Sequence, residues 1–169
     1  MTRGFGILLF SVLAFSAGPA AAAEPWEGSW RYAGGSAEDG LRKKAISEAT
    51  EDLSFVVRGT ARSRLQERLK PAPRLSLESD GTRVTIKGIG GELTLTLGAA
   101  PVKKTGPDGD GLLSVRTDGD ALVLVAKGEK GTRTSVFKRR GDSLVLNVTL
   151  DASLLSKPVK TRATFSPAG

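Results

Sequence analysis

The sequence contains no cysteine and no histidine, and aromatic residues make up only 5% of its 169 positions. Without these side chains the chain cannot form disulfides, Ser-His-Asp or Cys-His nucleophile systems, zinc sites with thiolate or imidazole ligands, or haem ligation by histidine. Any enzyme built from it would depend on carboxylate, lysine, serine or tyrosine chemistry, and no carboxylate pair is marked as buried. We therefore expect no enzyme, no metal site and no cofactor.

Long hydrophobic runs are also scarce, and the one clear example lies at the N-terminus. Arg3 precedes an apolar segment from Phe5 to Phe15, and small residues then lead to Ala23. This pattern is typical of a secretory signal peptide cleaved after Ala23, and the segment is shorter than the roughly 20 residues of a membrane-spanning helix. The pattern predicts a signal peptide over residues 1–23 and a single domain over residues 24–169.

The missing disulfides favour the periplasm of a Gram-negative bacterium, because eukaryotic secreted domains of this size usually contain them. We expect a periplasmic or secreted protein, with a monomer favoured. The formal net charge of +7 allows contact with anionic partners such as a lipid surface. Export and the scarcity of aromatic side chains argue against nucleic acid as a partner.

A change of periodicity predicts a helical segment after a first short strand at residues 29–33. Ser36 is a candidate N-cap, and apolar residues then recur at helical spacing. We predict two helices over 37–52 and 55–69, with a single helix bent at Gly59 as the alternative.

From residue 74 onward, alternating apolar and polar residues separated by Gly/Asp turns predict only strands. Three hairpins, two single strands and a polar loop are assigned as follows: hairpins at 73–88, 112–128 and 133–150, strands at 91–98 and 159–165, and the loop at 103–111. Short turns imply antiparallel pairing, and closure would remove exposed sheet edges. The fold class is therefore predicted to be mainly β, an antiparallel up-and-down β-barrel of about 8–10 strands. A helical hairpin is inserted after the first strand, and the first strand pairs near the last.

The loop at 106–111 contains Asp108 and Asp110 at a spacing found in calcium-binding loops. An EF-hand loop needs a glutamate at its twelfth position, and counting from Asp108 that position is Gly119. We interpret the segment as a turn without a metal.

Gly28-Ser29-Trp30 opens the predicted barrel, and it resembles the Gly-x-Trp signature of the calycin superfamily of lipocalins and fatty-acid-binding proteins. The order of one strand, two helices and a β-meander is similar to the fatty-acid-binding branch. The resemblance implies that Gly28, Trp30 and Arg162 are structural, with Arg162 packing on Trp30 at the closed end of the barrel. That branch holds a ligand carboxylate with an arginine and a tyrosine on its last strand, but here Thr164 replaces the tyrosine.

The resemblance also implies a ligand in the barrel and an entrance beside the helices. Candidate ligand-binding residues in the interior are Leu75, Leu77, Val84, Ile86, Leu93, Leu95, Val123, Phe137 and Leu146. Candidate residues of the surface near the entrance are Arg58, Arg62 and Arg68. The predicted function is an exported, lipocalin-like binding protein for a small hydrophobic or amphipathic ligand. The alternative is an envelope structural or interaction module with a filled barrel, which contacts a protein or an anionic lipid surface through its basic helix.

Overall fold

The computed structural model describes residues 23–106 and 109–169. Residues 1–22 of the predicted signal peptide therefore lie outside the described residues, as does Asp108 of the acidic loop.

One strand, two helices and nine further strands follow each other along the described chain. Their bounds are β1 Gly28–Tyr32, α1 Gly35–Ala49, α2 Phe55–Arg68, β2 Arg74–Ser79, β3 Arg83–Lys87, β4 Glu92–Thr96, β5 Val102–Gly106, β6 Gly109–Asp118, β7 Ala121–Gly128, β8 Gly131–Arg140, β9 Ser143–Ala152 and β10 Val159–Pro167.

The strands form one curled antiparallel sheet in the order β4-β3-β2-β1-β10-β9-β8-β7-β6-β5. Pairing of β1 with both β2 and β10 joins the two ends of the chain, as predicted. The predicted fold class, a mainly β antiparallel meander with a helical hairpin after the first strand, is confirmed. Closure is only partial, because β4 and β5 are the edges of the sheet, and among the described residues one isolated bridge crosses the gap, between Leu97, which follows β4, and Val115 of β6.

The edge strand β5 lies where the sequence predicts a polar loop. Its residues include Lys103 and Lys104, both exposed, and it pairs with β6 on one side only. A strand with one partner and little burial lacks the alternating apolar pattern that identifies its neighbours, and lysine is common on such edges. The described residues thus contain ten strands, within the expected 8–10, and β5 is the one that the sequence pattern did not assign.

The helical segment contains two separate helices, so the alternative of one helix bent at Gly59 is wrong. The break follows Ala49, where the buried hydroxyl of Thr50 donates a hydrogen bond of 2.8 Å to the carbonyl of Ile46. Helix α1 begins at Gly35, whose φ of +62° favours glycine, so Ser36 is not the N-cap.

Helix α1 packs beside β10, next to the short stretch of that strand that pairs with β1. Strand β1 pairs only with residues 165–167 of β10, and α1 packs against the earlier part of that strand. The carboxylate of Glu38 accepts hydrogen bonds from the backbone N–H of Thr164 (2.9 Å) and from its hydroxyl (2.6 Å). Glu38 therefore satisfies a strand donor that β1 does not reach.

The aromatic residues before and within the barrel strands belong to its core. Trp26, Trp30, Phe137 and Phe165 lie in one buried apolar cluster, and Trp30 donates its indole N–H to the carbonyl of Trp26 at 3.3 Å. Trp26 is fully buried within this cluster rather than lying over the barrel end.

Candidate functional site

A cavity of about 690 Å³ lies between helix α2 and the rim of the barrel. Three segments form that rim: the start of β6 at residues 109–111, the β7–β8 turn at residues 128–131, and the β9–β10 connection at residues 152–155. The volume is in the range of pockets that hold small molecules. Helix α2 therefore leaves space at the mouth of the barrel.

Helix α2 contributes one face to the cavity, because residues three and four positions apart lie on the same side of a helix. The apolar side chains that line the cavity and pack against the core are Leu65, Leu69, Leu150 and Leu155. Val57 and Leu154 also line it and are 41% and 57% exposed, which places them at its opening. The cavity thus combines an apolar base with an accessible entrance.

Arg133 projects into this space from the inner face of β8. Its cross-strand neighbours are Ala126 and Leu150, which line the same cavity. Its Nη1 donates a long hydrogen bond of 3.4 Å to the carbonyl of Arg68, at the end of α2. Its Nε is buried and has no hydrogen-bond partner within residues 23–106 and 109–169.

Burial also lowers the pKa of the Arg133 guanidinium from its usual value. An arginine nevertheless stays protonated at neutral pH, so the cavity contains a desolvated positive charge.

Positive charge predominates around the cavity. Its ionisable lining residues are Arg64, Arg68, Lys127, Lys130 and Arg133 against Asp110 and Glu129. The Asp110 carboxylate already has two partners: the Lys103 ammonium lies 2.6 Å from one of its oxygens, and the Thr105 hydroxyl donates a hydrogen bond of 2.6 Å to the other. The Lys103 contact and then the Thr105 hydrogen bond hold the pKa of Asp110 below its usual value. The mouth therefore attracts anions.

The interior residues predicted from the sequence occupy the barrel core, and none of them is among the described residues that line this cavity. Buried in the core cluster are Leu75, Leu77, Val84, Ile86, Leu95, Phe137 and Leu146, with Leu93 partly buried against it. Whether any of them contacts a ligand stays a prediction.

Val123 requires a correction, because it lies on the outer face of the sheet. The flanking residues Leu122 and Leu124 point into the core, and alternation along a strand places Val123 on the opposite side. Its cross-strand neighbours are Arg116 and Val136. Val123 is buried, but outside the barrel interior.

The arginine on Trp30 is also different from the one expected. The guanidinium carbon of Arg139 lies 6.0 Å from the centre of the Trp30 ring, a cation–π distance. Arg162 is exposed and pairs with Asn147 on the outer face of the sheet. The expected pairing of Arg162 with Trp30 is therefore wrong.

Gly28 lies in a backbone conformation that favours glycine. Its φ of +133° disfavours a side chain, and the Trp30 ring packs directly over it. The Gly-x-Trp stretch thus combines a backbone conformation that favours glycine with the aromatic ring that covers it.

The basic residues of α2 are less available than their sequence pattern suggests. Arg58 donates two hydrogen bonds to the carbonyl of Leu53, and Arg62 donates one to the Thr50 hydroxyl, at 2.9 Å. These two side chains join the helices rather than forming a free surface. Arg68 lines the cavity.

Sequence reasoning missed Arg133, although a usable signal is present. Arg133, Ser135 and Phe137 alternate along β8, so any argument that places Phe137 inside the barrel also places Arg133 inside.

Neither helix in the described part of the chain is long and apolar enough to cross a membrane. Among the same residues no three histidine, cysteine, aspartate or glutamate side chains are grouped as a metal site would require.

The fold is calycin-like, and solved structures of fatty-acid-binding and related proteins share it. Fatty-acid-binding protein 1 of Echinococcus granulosus is 16% identical, with a TM-score of 0.53 over 87% of this chain and 100% of its own. Lipid binding protein 8 of Caenorhabditis elegans is 12% identical, with a TM-score of 0.56 over 85% and 96%. An abundant heat soluble (SAHS) protein of Ramazzottius varieornatus is 11% identical, with a TM-score of 0.56 over 86% and 97%.

No protein-family model matches the sequence, and no curated protein matches it. At these identities the structural similarity defines the fold alone.

Proposed function

We propose that this protein binds a small hydrophobic or amphipathic molecule in the cavity between α2 and the barrel rim. The observation that carries the proposal is the 690 Å³ cavity itself, with its apolar base on Leu65, Leu69 and Leu150. Burial of apolar ligand surface there contributes roughly 25 cal/mol per Å². Two of the similar structures are named for binding fatty acids or lipids, which supports the same class of ligand.

The test is fluorescence titration with N-phenyl-1-naphthylamine, a neutral apolar probe whose emission rises in apolar surroundings. Ala61 lines the cavity from α2, so Ala61→Trp places an indole in the space that a ligand would occupy. Ala37 is an exposed residue of α1, and Ala37→Trp is the matched control. We expect A61W to abolish binding and A37W to retain it. Equal binding by both variants would disprove this location of the site.

The protein is further proposed to act after export, in the periplasm or the extracellular medium. The N-terminal pattern of a charged residue, an apolar segment and small residues supports this proposal. Osmotic shock of a Gram-negative bacterium that expresses the full chain should release a protein whose N-terminal sequence begins at Glu24. Recovery of the uncleaved chain in the cytoplasm would contradict it.

A second candidate function is docking to an anionic membrane surface through the start of α2. Phe55 and Val56 are 89% and 84% exposed there, and Arg64 and Arg68 follow on the same helix. Exposed apolar residues beside cations are typical of helices that lie in a lipid interface. Sedimentation with vesicles of phosphatidylcholine, with and without phosphatidylglycerol, tests the idea, because an anionic surface attracts basic segments. Binding only to the anionic vesicles, lost in Phe55→Ser, is expected, and no binding to either would exclude it.

A further inference from the structure

A second groove, of about 470 Å³, lies on the outer face of the sheet where β10 ends beside β1, β2 and β3. Ser29 pairs with Ser76 and Arg31 pairs with Arg74 across β1 and β2. Alternation along β1 places Ser29 and Arg31 on the face opposite the buried Trp30. The groove shares no lining residue with the cavity beside α2, so it is a separate candidate site.

Small hydroxyl side chains form the centre of this groove, and cations surround them. Paired strands are about 4.8 Å apart and alternate residues of one strand about 6.7 Å apart, so the two arginines lie within side-chain reach of the two serines. Lys87 pairs with Ser76 on its other side. The Ser76 hydroxyl donates a hydrogen bond of 3.1 Å to Glu78, whereas the Ser29 hydroxyl has no partner among the described residues.

The charges that line the groove are unbalanced. They are Arg31, Arg74 and Lys87, with no aspartate or glutamate among the lining residues. Lys87 has a neighbouring carboxylate, that of Glu78, at 3.4 Å. Within the described residues, Arg31 and Arg74 form no hydrogen bond or salt bridge through their side chains, and neither does the carboxylate of Gly169 at the edge of the groove.

The two arginines face each other in an arrangement that is unfavourable without a ligand. Like charges directly opposite on neighbouring strands destabilise a sheet. An anion between the two guanidinium groups would remove this repulsion, because each group can donate two parallel hydrogen bonds to a planar or tetrahedral oxyanion. The cross-strand pair of Arg31 and Arg74 therefore indicates a site for an anion.

A phosphate monoester matches this arrangement better than a carboxylate does. It has a charge of about −1.5 to −2 at pH 7 and three strong acceptor oxygens. It can therefore compensate both arginines at once and still accept a hydrogen bond from a serine hydroxyl, whereas a carboxylate compensates one charge.

We propose that this outer groove binds the phosphate of a phosphomonoester, with Arg31 and Arg74 as its principal ligands. The Ser29 hydroxyl donates to the same phosphate, and Lys87 contributes positive charge from β3. This function is additional to ligand binding beside α2 and does not depend on it.

An NMR titration with glycerol 3-phosphate at low ionic strength tests the site directly. We expect saturable shifts of the backbone amides of Ser29, Ser76 and Gly88, which all line the groove. Dimethyl phosphate has the same tetrahedral centre but a single negative charge, so it should bind more weakly. The affinity for glycerol 3-phosphate should fall between pH 7.5 and pH 5, because the second pKa of a phosphate monoester is about 6 and the chain has no histidine that would titrate in this range.

Substitutions of the two arginines identify the ligands of the phosphate. Arg31→Gln and Arg74→Gln should each raise the dissociation constant at least about fivefold, the effect of one charged contact at an exposed position. Arg162→Gln is the matched control, because it removes the same charge from an exposed position on the outer face of β10, outside the groove. It should leave the affinity unchanged. Thermal melts of each variant confirm that it is folded.

Sedimentation with vesicles shows whether the phosphomonoester belongs to a lipid or to a soluble molecule. Phosphatidylcholine vesicles are prepared with phosphatidate, a monoester, or with phosphatidylglycerol, a diester. Binding to the phosphatidate vesicles that is lost in R31Q but kept in Phe55→Ser would support a lipid source. Binding of glycerol 3-phosphate without such sedimentation would support a soluble one.

Three results would overturn the inference: no saturable shift of the groove amides, equal affinity for glycerol 3-phosphate and dimethyl phosphate, or the same loss of affinity in R162Q as in R31Q. The last would show that the ligand responds only to the net charge of the protein. None of these results bears on the cavity beside α2, and failure of the neutral probe to bind there would leave this inference standing.

Discussion

From the contact between Glu38 and Thr164 we predict how strongly helix α1 is held to the barrel. One carboxylate accepts two hydrogen bonds, from the Thr164 N–H at 2.9 Å and from its hydroxyl at 2.6 Å. Hydrogen bonds to a charged acceptor contribute about 1.5 kcal/mol each, so Glu38→Ala should lower the free energy of unfolding by about 3 kcal/mol. Thr164→Val removes only the hydroxyl bond and should cost about 1.5 kcal/mol.

A double-mutant cycle measured by urea unfolding tests this assignment. Once Glu38 is alanine, the hydroxyl of Thr164 has lost its acceptor, so the double variant should be no less stable than E38A alone. The resulting coupling energy is about 1.5 kcal/mol. Glu38→Gln should retain both contacts without the charge, because its amide oxygen can accept from the N–H and its amide nitrogen can donate to the hydroxyl. It should cost about half as much as E38A, since charge-assisted hydrogen bonds are roughly twice as strong as neutral ones.

A substitution at Gly34 tests the position of the Glu38 carboxylate independently. A Cβ at this position would collide with the Glu38 carboxylate, although the φ of −71° itself accepts alanine. The same Cβ would lie 2.9 Å from the Tyr32 hydroxyl, so Gly34→Ala should destabilise the wild type and should cost less, though still something, in the E38A background. Additive costs in either cycle would refute the idea that Glu38 holds α1 to β10.

Three further predictions concern the cavity, the core and the acid limit. Arg133→Met should raise the stability of the ligand-free protein by about 1 kcal/mol, because it removes a buried donor without an acceptor. A lower melting temperature would show instead that the hydrogen bond to the Arg68 carbonyl stabilises the protein by more than the unpartnered donor costs. Phe137→Ala should cost about 3–5 kcal/mol in urea unfolding, the range for a fully buried phenylalanine, without weakening the neutral probe; lost probe binding in the folded variant would place the ligand deeper. Hydrogen bonds from the backbone N–H groups of Arg83 and then Thr82 hold the pKa of Asp80 below its usual value. The contribution of ionised Asp80 to folding stability is therefore complete above about pH 4 and is lost as the pH falls through the lowered pKa. Asp80→Asn should lose less stability on acidification than the wild type. An identical decline in the two proteins would contradict this prediction.

The order of elements could be predicted because most strands carry an unambiguous period. In β2, β3 and β4 one face is apolar and the other polar, so both the strands and their turns follow from the sequence. Strand β7 has no such contrast: Leu122, Val123 and Leu124 are all buried, and the sequence alone gives no reason to assign Val123 to the outer face. Its orientation depends on pairing with β6 and β8, which is a tertiary property.

The candidate site was harder to predict than the fold because its position depends on which part of the barrel is filled. Alternation correctly identified inward-facing residues such as Leu77 and Ile86, but these positions are packed within the core rather than along the cavity. Trp26 is the decisive residue: it precedes β1, belongs to no periodic pattern, and lies fully buried in the core. Where such a side chain folds back cannot be deduced from local sequence.

The buried aromatic residues and the cationic cavity lie in different parts of the barrel. Trp26, Phe137 and Phe165 are buried in the core, and none of them lines the cavity beside α2. Arg133 is the inward-facing cation on β8 that lines this cavity. Its buried Nε has no acceptor among the described residues, so this side chain costs stability in the free protein, and its replacement by methionine tests that cost directly.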